Sequence, residues 1–436
     1  MTFETTFFDN LAFEAPATIE ATQQILLRRH LSYLQGHSPY YRRRLHEAGI
    51  CAKERIELAD LPRLPLTTKA DLENHNDAFL CVEPQRIVDL CLTSGTCGQP
   101  VTLSQTAADL HRLGYNEELS FRMVGLSACD RVLIAAAIDR CFMAGLAYFL
   151  GLTRIGATVI RGGSGSVAML EELTVRYRPT ALVGVPTLLL VLAERLLARG
   201  MEPAAIGARR LICIGEPVRA ADLTLSPLGR RLAAAWGAEV FGTYASTEMA
   251  TSFVDCGAGK GGHSHPDLVL VEVLDEAGRP LPPGEAGEVV ATPLQVSGMP
   301  LLRYQTGDIA MLYEGSCPCG RHSRRLGPIL GRKSQMLKIR GTTVYPSAIF
   351  AVLQEMPEVR EYYMEVFNEF ELSDRVRVVV GCGDSPLDAD DIAERIAARI
   401  RVKPEVVLAP AAEVARRVLR EDKRKPVTFF DYRNSR

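Results

Sequence analysis

Hydrophobic positions change their spacing along the chain, and each change predicts a different kind of element. Residues 14–50 carry apolar side chains at helical spacing, including Ile25, Leu26, Leu31 and Leu34, which predicts an amphipathic helical segment. From Asp89 onward, short apolar runs alternate with helical stretches. These runs and stretches are 131–138, 142–152, 157–160, 167–177 and 181–185. Such alternation is typical of an α/β domain with a largely parallel sheet.

The pattern changes twice more before the C-terminus. Between Val269 and Leu312, closely spaced apolar stretches are separated by turn signals at residues 276–279 and 282–284, which predicts an antiparallel segment closing the large domain. Past residue 332, the predicted elements are strands at 336–339 and 376–380, helices near 346–355 and 390–400, and a basic tail. We therefore expect an α/β fold with a large N-terminal domain, residues 1–332, and a small α+β C-terminal domain, residues 333–436.

Composition and charge narrow the class of protein. Apolar residues make up 47% of the chain and charged residues 23%, which indicates a globular protein rather than a disordered or fibrous one. Because 50 basic residues balance 52 acidic ones, the chain lacks the positive excess that nucleic-acid binding uses. It also lacks an apolar run of roughly 18 residues for a membrane span and a signal peptide pattern. We expect a cytoplasmic protein without nucleic-acid or membrane partners; the sequence leaves open whether it forms a homodimer.

The first candidate for chemistry is a hydroxyl-rich and glycine-rich turn after the apolar run 87–92. Its residues are Thr93, Ser94, Gly95, Thr96, Cys97 and Gly98. Small residues let backbone amides approach an anion and hydroxyls add donors, so this turn suits a polyphosphate. The Gly-Lys-Ser/Thr ending of a Walker loop is missing, and a purely structural turn is the competing interpretation.

Two further segments each place a carboxylate beside small or hydroxylated residues at the end of an apolar run. One contains Glu248 and the other contains Asp308. A carboxylate in such a place can hold a magnesium ion or a ribose, although a solvated turn acid is the commoner meaning of either segment alone.

Taken together and in order, these segments resemble the adenylate-forming ligase superfamily. The ordered set is Thr93 to Thr96, Gly215 to Pro217, Tyr244 to Glu248, Tyr304 to Asp308, and Gly331 with Arg332. Within the superfamily the chain is most similar to the phenylacetate-CoA ligase family, whose landmarks it carries at residues 67–71, 319–321 and 336–347. The resemblance runs from about residue 20 to about residue 433. It implies an AMP-forming ligase that joins a carboxylic acid to AMP and transfers the acyl group to CoA after the small, mobile C-terminal domain rotates.

The resemblance also implies which residues form the site. The implied nucleotide-binding residues are Thr93, Ser94, Gly95, Thr96, Gly98, Gly215, Glu216, Pro217, Tyr244, Ala245, Ser246, Asp308 and Arg332. The first five close over the ATP phosphates, residues 215–217 and Tyr244 frame the adenine, and Asp308 binds the ribose with help from Arg332. Glu248 ligates Mg²⁺ beside Thr247, and both are implied to be catalytic.

A catalytic lysine is implied within the basic tail, a few residues before a valine. Counting back from Val427 favours Lys423. The family usually has a glycine before that lysine, whereas this chain has Asp422, so Lys425 stays an alternative. Without the upstream motifs, a solvated basic tail would be the preferred interpretation.

A second constellation lies within residues 256–319 and comprises Cys256, His263, Cys317 and Cys319. Two close pairs separated along the chain suit a tetrahedral zinc ion, and some phenylacetate-CoA ligase relatives with a similar pattern bind structural zinc. His265 is an alternative ligand, and ordinary reduced cysteines are the competing interpretation. The implied cofactors are therefore ATP, Mg²⁺ and structural Zn²⁺, with CoA as co-substrate.

Departures from the family pattern bear on the acid and on the acceptor. Residues 137–142 replace a glycine-rich and tyrosine-rich stretch of the acid pocket, which makes Asp139, Arg140 and Phe142, together with Tyr244, candidate substrate residues. If Asp139 and Arg140 form a buried pair, they can meet polar groups of an aromatic acid; a surface salt bridge is the alternative. Lys333 to Gln335 replace acidic hinge residues and Cys97 replaces a threonine.

These departures leave three functions open. The favoured one is an aryl acid-CoA ligase of secondary metabolism. The second is an adenylating enzyme with another acceptor: an amine, a carrier protein, or, in a diazotase-like reaction, an aromatic amine that attacks activated nitrite. The third is a catalytically silent nucleotide-binding protein.

Overall fold

The chain forms two compact units. The computed structural model describes residues 6–8, 10–50, 55–93, 101–339, 342–356, 358–370, 373–382, 388–419 and 426–433. The first unit runs to Thr306 and includes Ala310–Pro328, and the second consists of Gly307–Ile309 and Ile329–Arg436.

The first unit contains eight α-helices within the ranges described. They are α1 (Pro16–His37), α2 (Pro39–Glu47), α3 (Lys69–His75), α4 (Ala107–Met123), α5 (Met143–Ile155), α6 (Val167–Tyr177), α7 (Pro186–Ala198) and α8 (Pro227–Trp236). Helices α1, α2, α7 and α8 begin with proline, whose missing N–H costs nothing at the first helical position. At the start of α4, the Thr106 hydroxyl accepts from Asp109 N, and the Asp109 carboxylate accepts from Thr106 N. This reciprocal cap sets the direction of α4.

The strands of the first unit form a hairpin and one large mixed sheet. They are β1 (Ile87–Leu92), β2 (Thr102–Thr106), β3 (Arg131–Ala135), β4 (Thr158–Arg161), β5 (Ala181–Gly184), β6 (Arg210–Ile214), β7 (Glu239–Ser246), β8 (Thr251–Asp255), β9 (Gly262–His263), β10 (Val269–Leu274), β11 (Ala286–Pro293), β12 (Tyr304–Tyr313) and β13 (Arg325–Leu326). Strand β12 contributes its residues 307–309 to the second unit.

The large sheet has a parallel half and an antiparallel half. Its order is β10-β11-β12-β13-β9-β8-β7-β6-β5-β3-β4. Strands β4, β3, β5, β6 and β7 are parallel neighbours, whereas the β7–β8, β8–β9 and β10–β11 pairs are antiparallel. The central parallel strands are buried apolar runs, such as Leu182 and Val183 in β5, because helices cover the sheet, whereas the edge strand β4 is largely exposed. The predicted parallel α/β region with an antiparallel closing segment is confirmed.

Two buried polar contacts fix the chain just before β12. His30 of α1 donates from Nε2 to Leu301 O at 3.0 Å, and burial lowers the pKa of this histidine to about 4. Arg303 is fully buried, and its guanidinium donates to both carboxylate oxygens of Glu272 at 2.9 Å. A bidentate pair of this kind sets both distance and orientation, so residues 301–303 hold the start of β12 in one place.

The second unit is a small α+β domain. Its elements are β14 (Gly331–Arg332), β15 (Leu337–Ile339), β16 (Thr342–Val344), α9 (Pro346–Gln354), β17 (Val359–Phe370), β18 (Ser373–Cys382), α10 (Ala389–Ile400), β19 (Glu405–Pro410), α11 (Ala411–Val418) and β20 (Phe429–Asp431). Strands β19-β18-β17-β20 form one sheet, and β15 and β16 form a hairpin. The predicted α+β character of this region is confirmed.

None of the helices in the described ranges is long and apolar enough to cross a bilayer.

Candidate active site

The base of the predicted phosphate-binding turn is a closed hairpin. Thr93 follows β1 directly and is 4% exposed. Its N–H donates to Val101 O at 3.0 Å, and its hydroxyl accepts from Val101 N at 3.2 Å. These bonds join the two ends of the turn, whereas Ser94, Gly95, Thr96, Cys97 and Gly98 lie outside the described residues.

The two segments predicted to frame adenine follow neighbouring parallel strands. Gly215 comes after β6 and has φ of 75°, a left-handed conformation that favours glycine. The Glu216 carboxylate accepts from the N–H of Thr187 at 3.1 Å and from its hydroxyl at 3.0 Å, at the N-terminus of α7. Tyr244 lies half-buried in β7, and its ring centroid is 6.0 Å from that of Phe253. Because β6 and β7 are parallel neighbours, both segments lie at the same edge of the sheet.

Glu248 lies in a short turn between β7 and β8. The Ser246 hydroxyl accepts from Met249 N at 3.3 Å, and Ala250 has φ of 48°, a strained backbone for a residue other than glycine. Glu248 accepts from the Tyr304 hydroxyl at 3.4 Å. The turn and the start of β12, which are 56 residues apart in sequence, therefore meet at this carboxylate.

Arg112 is a site residue that sequence reasoning missed. It is 1% exposed in α4, and its guanidinium donates to Ala250 O, to Leu268 O at 2.7 Å and to Leu294 O at 2.7 Å. Burial lowers its pKa to about 10, so it keeps its charge at neutral pH. Arg112 thus ties the end of the Glu248 turn to two other segments. The available signal in the sequence for its burial was the position of this arginine between the apolar residues Leu110 and Leu113.

Asp308 and Arg332 are brought together in the second unit. They face each other in the antiparallel pairing of β12 and β14, and Arg332 Nε lies 3.2 Å from Asp308 Oδ1. Asp308 is buried, whereas the Arg332 side chain is half-exposed. The pair presents one carboxylate backed by a cation, which suits the binding of a ribose hydroxyl.

The candidate acid-pocket residues form a surface pair rather than a buried one. Asp139 and Arg140 are mostly exposed, and Arg140 Nε lies 3.6 Å from Asp139 Oδ2. Arg140 and Cys141 have φ of 57° and 55°, which turns the chain sharply before Phe142 at the start of α5. The surface salt bridge is therefore the alternative that the structure shows.

The two candidates for the catalytic lysine, Lys423 and Lys425, lie outside the described residues.

Cys256, His263, Cys317 and Cys319 converge on one point. Their ligand atoms all lie within 4.8 Å of one another. Cys256 Sγ is 3.6 Å from Cys317 Sγ, and His263 Nε2 is 3.4 Å from Cys319 Sγ. The other predicted candidate, His265, is not part of this group, and its Nε2 lies 2.9 Å from Ser120 Oγ.

The surroundings of this cluster lower the pKa values of two candidate ligands, His263 and Cys319, and so favour their deprotonated forms. Burial lowers the pKa of His263 to about 3, with help from the nearby Arg321 and Arg325, so its imidazole is neutral. Burial raises the pKa of Cys256 to about 12. The pKa of Cys319 is lowered although burial acts against it, because the backbone and side chain of Arg321 and the neighbouring thiols donate to its sulfur. His263 Nδ1 lies 3.0 Å from Ser323 Oγ, which leaves Nε2 to face the three sulfurs.

The motifs at Thr93, Tyr244 to Glu248 and Tyr304 to Asp308 occur in a chain that forms an α/β domain followed by a small α+β domain. Together they define an adenylate-forming enzyme. The AMP-binding enzyme family matches residues 43–298, and the AMP-binding enzyme C-terminal domain matches residues 341–433. Since the first match alone covers more than half of the chain, the protein belongs to the AMP-binding enzyme family.

Individual relatives agree with this assignment. The phenylacetate-coenzyme A ligase of Thermus thermophilus is 34% identical over 80% of this chain and 78% of its own length. The phenylacetate-coenzyme A ligase of Escherichia coli is 27% identical over 95% of each chain. A crystal structure of 2-hydroxyisobutyryl-CoA ligase with 2-HIB-AMP superimposes with a TM-score of 0.87 at 25% identity, covering 99% of this chain and 92% of the other. The predicted resemblance to phenylacetate-CoA ligases is confirmed.

Proposed function

We propose that this protein activates an aryl carboxylic acid with ATP and transfers the acyl group to CoA. The observation that carries the proposal is the meeting of the Glu248 turn with Tyr304 at the start of β12. This contact joins Glu248 to the first residue of the Tyr304 segment, and the resemblance assigns both segments to the binding of ATP and Mg²⁺. The similar phenylacetate-coenzyme A ligases support an aryl acid as substrate.

The reaction has two balanced steps. In the first, a carboxylate oxygen of the acid attacks the α-phosphorus of ATP, an acyl-phosphate bond forms, and the bond to pyrophosphate breaks. In the second, the CoA sulfur attacks the acyl carbon, its proton is lost, a thioester forms, and AMP leaves. The first step moves negative charge between oxygens, and the second moves it from the CoA sulfur to oxygens of the adenylate. Fixed donors and charges in a closed site stabilise such transition states.

The roles that we propose for individual residues are those that the family resemblance implies. Glu248 offers a protein carboxylate, and Mg²⁺ commonly uses one or two of these beside substrate phosphates. Thr247 lies next to it. Gly215 to Pro217 and Tyr244 lie at one sheet edge and frame adenine, whereas Asp308 with Arg332 binds the ribose. The Thr93 turn closes over the phosphates. When bound, Mg²⁺ supplies charge neutralisation at the phosphate oxygens.

The assay that tests this function is pyrophosphate release with a panel of acids, with and without CoA. We expect release that depends on ATP, Mg²⁺ and an aryl acid, and acyl-CoA as the product when CoA is present. Release without consumption of CoA would favour an amine or carrier-protein acceptor, and release with nitrite and an aromatic amine would favour a diazotase-like reaction. Absence of release with every acid and with nitrite would favour the catalytically silent protein.

We also propose that the Cys256, His263, Cys317 and Cys319 cluster holds one structural zinc ion. Three thiols and an imidazole within 4.8 Å match the donor set of closed structural sites. The Ser323 hydroxyl beside Nδ1 orients the His263 ring, as partners of metal-binding histidines usually do.

The chain around this cluster also holds the N-terminal segment. The Arg321 guanidinium lies 4.4 Å from the Phe13 ring centroid, and His322 N donates to Ala12 O at 2.7 Å. A zinc ion that fixes residues 317–319 therefore also stabilises these contacts.

Replacing Cys319 by serine should remove zinc and lower the melting temperature by about 5 °C or more, because metal binding is linked to folding. Zinc per chain is measured by elemental analysis of freshly purified protein, and melting by circular dichroism. The matched control is Cys129→Ser, an exposed cysteine outside the cluster, which should keep both values. Wild-type protein that carries no zinc would end this proposal.

A further inference from the structure

Gln105 is a buried polar residue to which the proposed function assigns no role. It lies in β2, directly after the Thr93 turn, and is 6% exposed. Its Nε2 lies 3.6 Å from Cys91 Sγ. Its Oε1 is buried and has no hydrogen-bond partner among the described residues. Because a buried carbonyl is nearly always paired with protein or with ordered water, this oxygen indicates a missing partner.

Gln105 and Glu248 line the same small cavity. Its volume is about 20 Å³, which exceeds the roughly 10–15 Å³ that one water molecule requires. The walls include the apolar residues Leu103, Leu113 and Met143, and they also include Arg112. A cavity of this size and lining offers a water molecule the two to four polar partners that it needs.

The charged side chains in the cavity wall determine whether the cavity suits a water molecule or a cation. The other acid in the wall, Asp109, already accepts from the backbone of Thr106, Ser297 and Gly298 at 2.7–2.9 Å. It therefore adds little to the binding of an ion. The Arg112 guanidinium repels a cation, whereas a water oxygen can accept from it.

We propose that one buried water molecule links Gln105 to Glu248. The water donates one hydrogen to Gln105 Oε1 and the other to the Glu248 carboxylate, and it accepts from Arg112. Glu248 is then held by two donors: the Tyr304 hydroxyl from β12 and a water positioned by β2. Gln105 is thus a positioning residue for Glu248, a role that rests on the proposed function.

The test is Gln105→Leu, which removes both amide atoms at similar volume. We expect the Mg²⁺ concentration for half-maximal pyrophosphate release to rise about tenfold, the effect of losing one hydrogen bond to a charged group. The melting temperature should change little, because the water leaves together with the amide, while Glu248 keeps the Tyr304 hydroxyl and Arg112 keeps its three carbonyl acceptors. A merely structural Gln105 would give the opposite result, a lower melting temperature with unchanged Mg²⁺ dependence.

The control is Cys91→Ala, which removes the neighbour of Nε2 and leaves Oε1 in place; it should keep the wild-type Mg²⁺ dependence. A crystal structure of the wild-type protein gives a readout independent of activity, and density for one water within 3.2 Å of both Gln105 Oε1 and Glu248 is the expected result. An empty cavity, or a Gln105→Leu enzyme with wild-type Mg²⁺ dependence, would overturn the inference. If the wild-type protein releases no pyrophosphate with any substrate, the proposed function fails and the density alone decides on the water.

Discussion

The Glu248→Gln variant is expected to release pyrophosphate at least about a hundredfold more slowly than the wild type, the cost of losing one fixed charge interaction in a closed site. The glutamine carbonyl can still accept from the Tyr304 hydroxyl, which lies 3.4 Å from Glu248 Oε1. The shape of the turn is therefore kept while the negative charge proposed to hold Mg²⁺ is lost. The measurement is pyrophosphate release across a range of Mg²⁺ concentrations, together with the melting temperature.

A surface carboxylate supplies the comparison for this variant. Glu314 is half-exposed in the same unit and pairs with Arg324 at 3.0 Å. Glu314→Gln should leave both turnover and Mg²⁺ dependence unchanged, since exposed ion pairs contribute little. Unchanged turnover in Glu248→Gln would exclude the proposed role, and a large loss of melting temperature in that variant would indicate a structural role instead.

Much of the first unit could be predicted from local pattern. Helix α6 spans the predicted residues 167–177, and the predicted strand at 157–160 differs by one residue at each end from β4, Thr158–Arg161. These elements follow from periodicity because each buries one apolar face or run. The Tyr244 to Glu248 and Tyr304 to Asp308 segments were also identifiable, since each combines hydroxyls and an acid. In the structure the first lies at the end of β7, whereas the second begins β12.

The buried charges could not be predicted in the same way. Asp109 and Arg112 lie on α4, and charged side chains are mostly exposed in proteins, yet both are buried because residues 250, 268 and 294–298 cover them. Neighbouring residues in the sequence give no information about contact partners that lie far away along the chain. The same holds for Gln105, whose significance depends on a cavity that only the folded chain creates.

The second unit contains a strand that could not be predicted from the pattern of apolar positions. Strand β17 was not predicted, because Glu361 and Glu365 interrupt its apolar positions. In the structure Glu365 lies opposite Arg377 of β18, with 3.4 Å between their charged groups. A cross-strand pair of this kind offsets the poor strand preference of glutamate, and it becomes visible only when the register is known.

The largest remaining effect is expected at Lys423, which lies in the tail outside the described residues. Its proposed role rests on the spacing to Val427 and on the need for a positive charge beside the reacting carboxylate and the α-phosphate. A lysine in that place stabilises charge mainly in the transition state, so its loss should lower the adenylation rate far more than it weakens ATP binding.

Lys423→Ala should therefore lower the rate of pyrophosphate release by roughly a hundredfold or more, equivalent to about 2.7–4 kcal/mol if the lysine acts like an oxyanion-hole donor. Lys425→Ala provides the matched comparison, because it removes the same charge two residues away and should retain adenylation. Single-turnover rates and ATP affinity, measured for both variants, separate chemistry from binding. If Lys425→Ala is the damaging change, the assignment is displaced by two residues; if neither matters, the tail is a solvated basic segment and the positive charge at the α-phosphate comes from elsewhere in the chain.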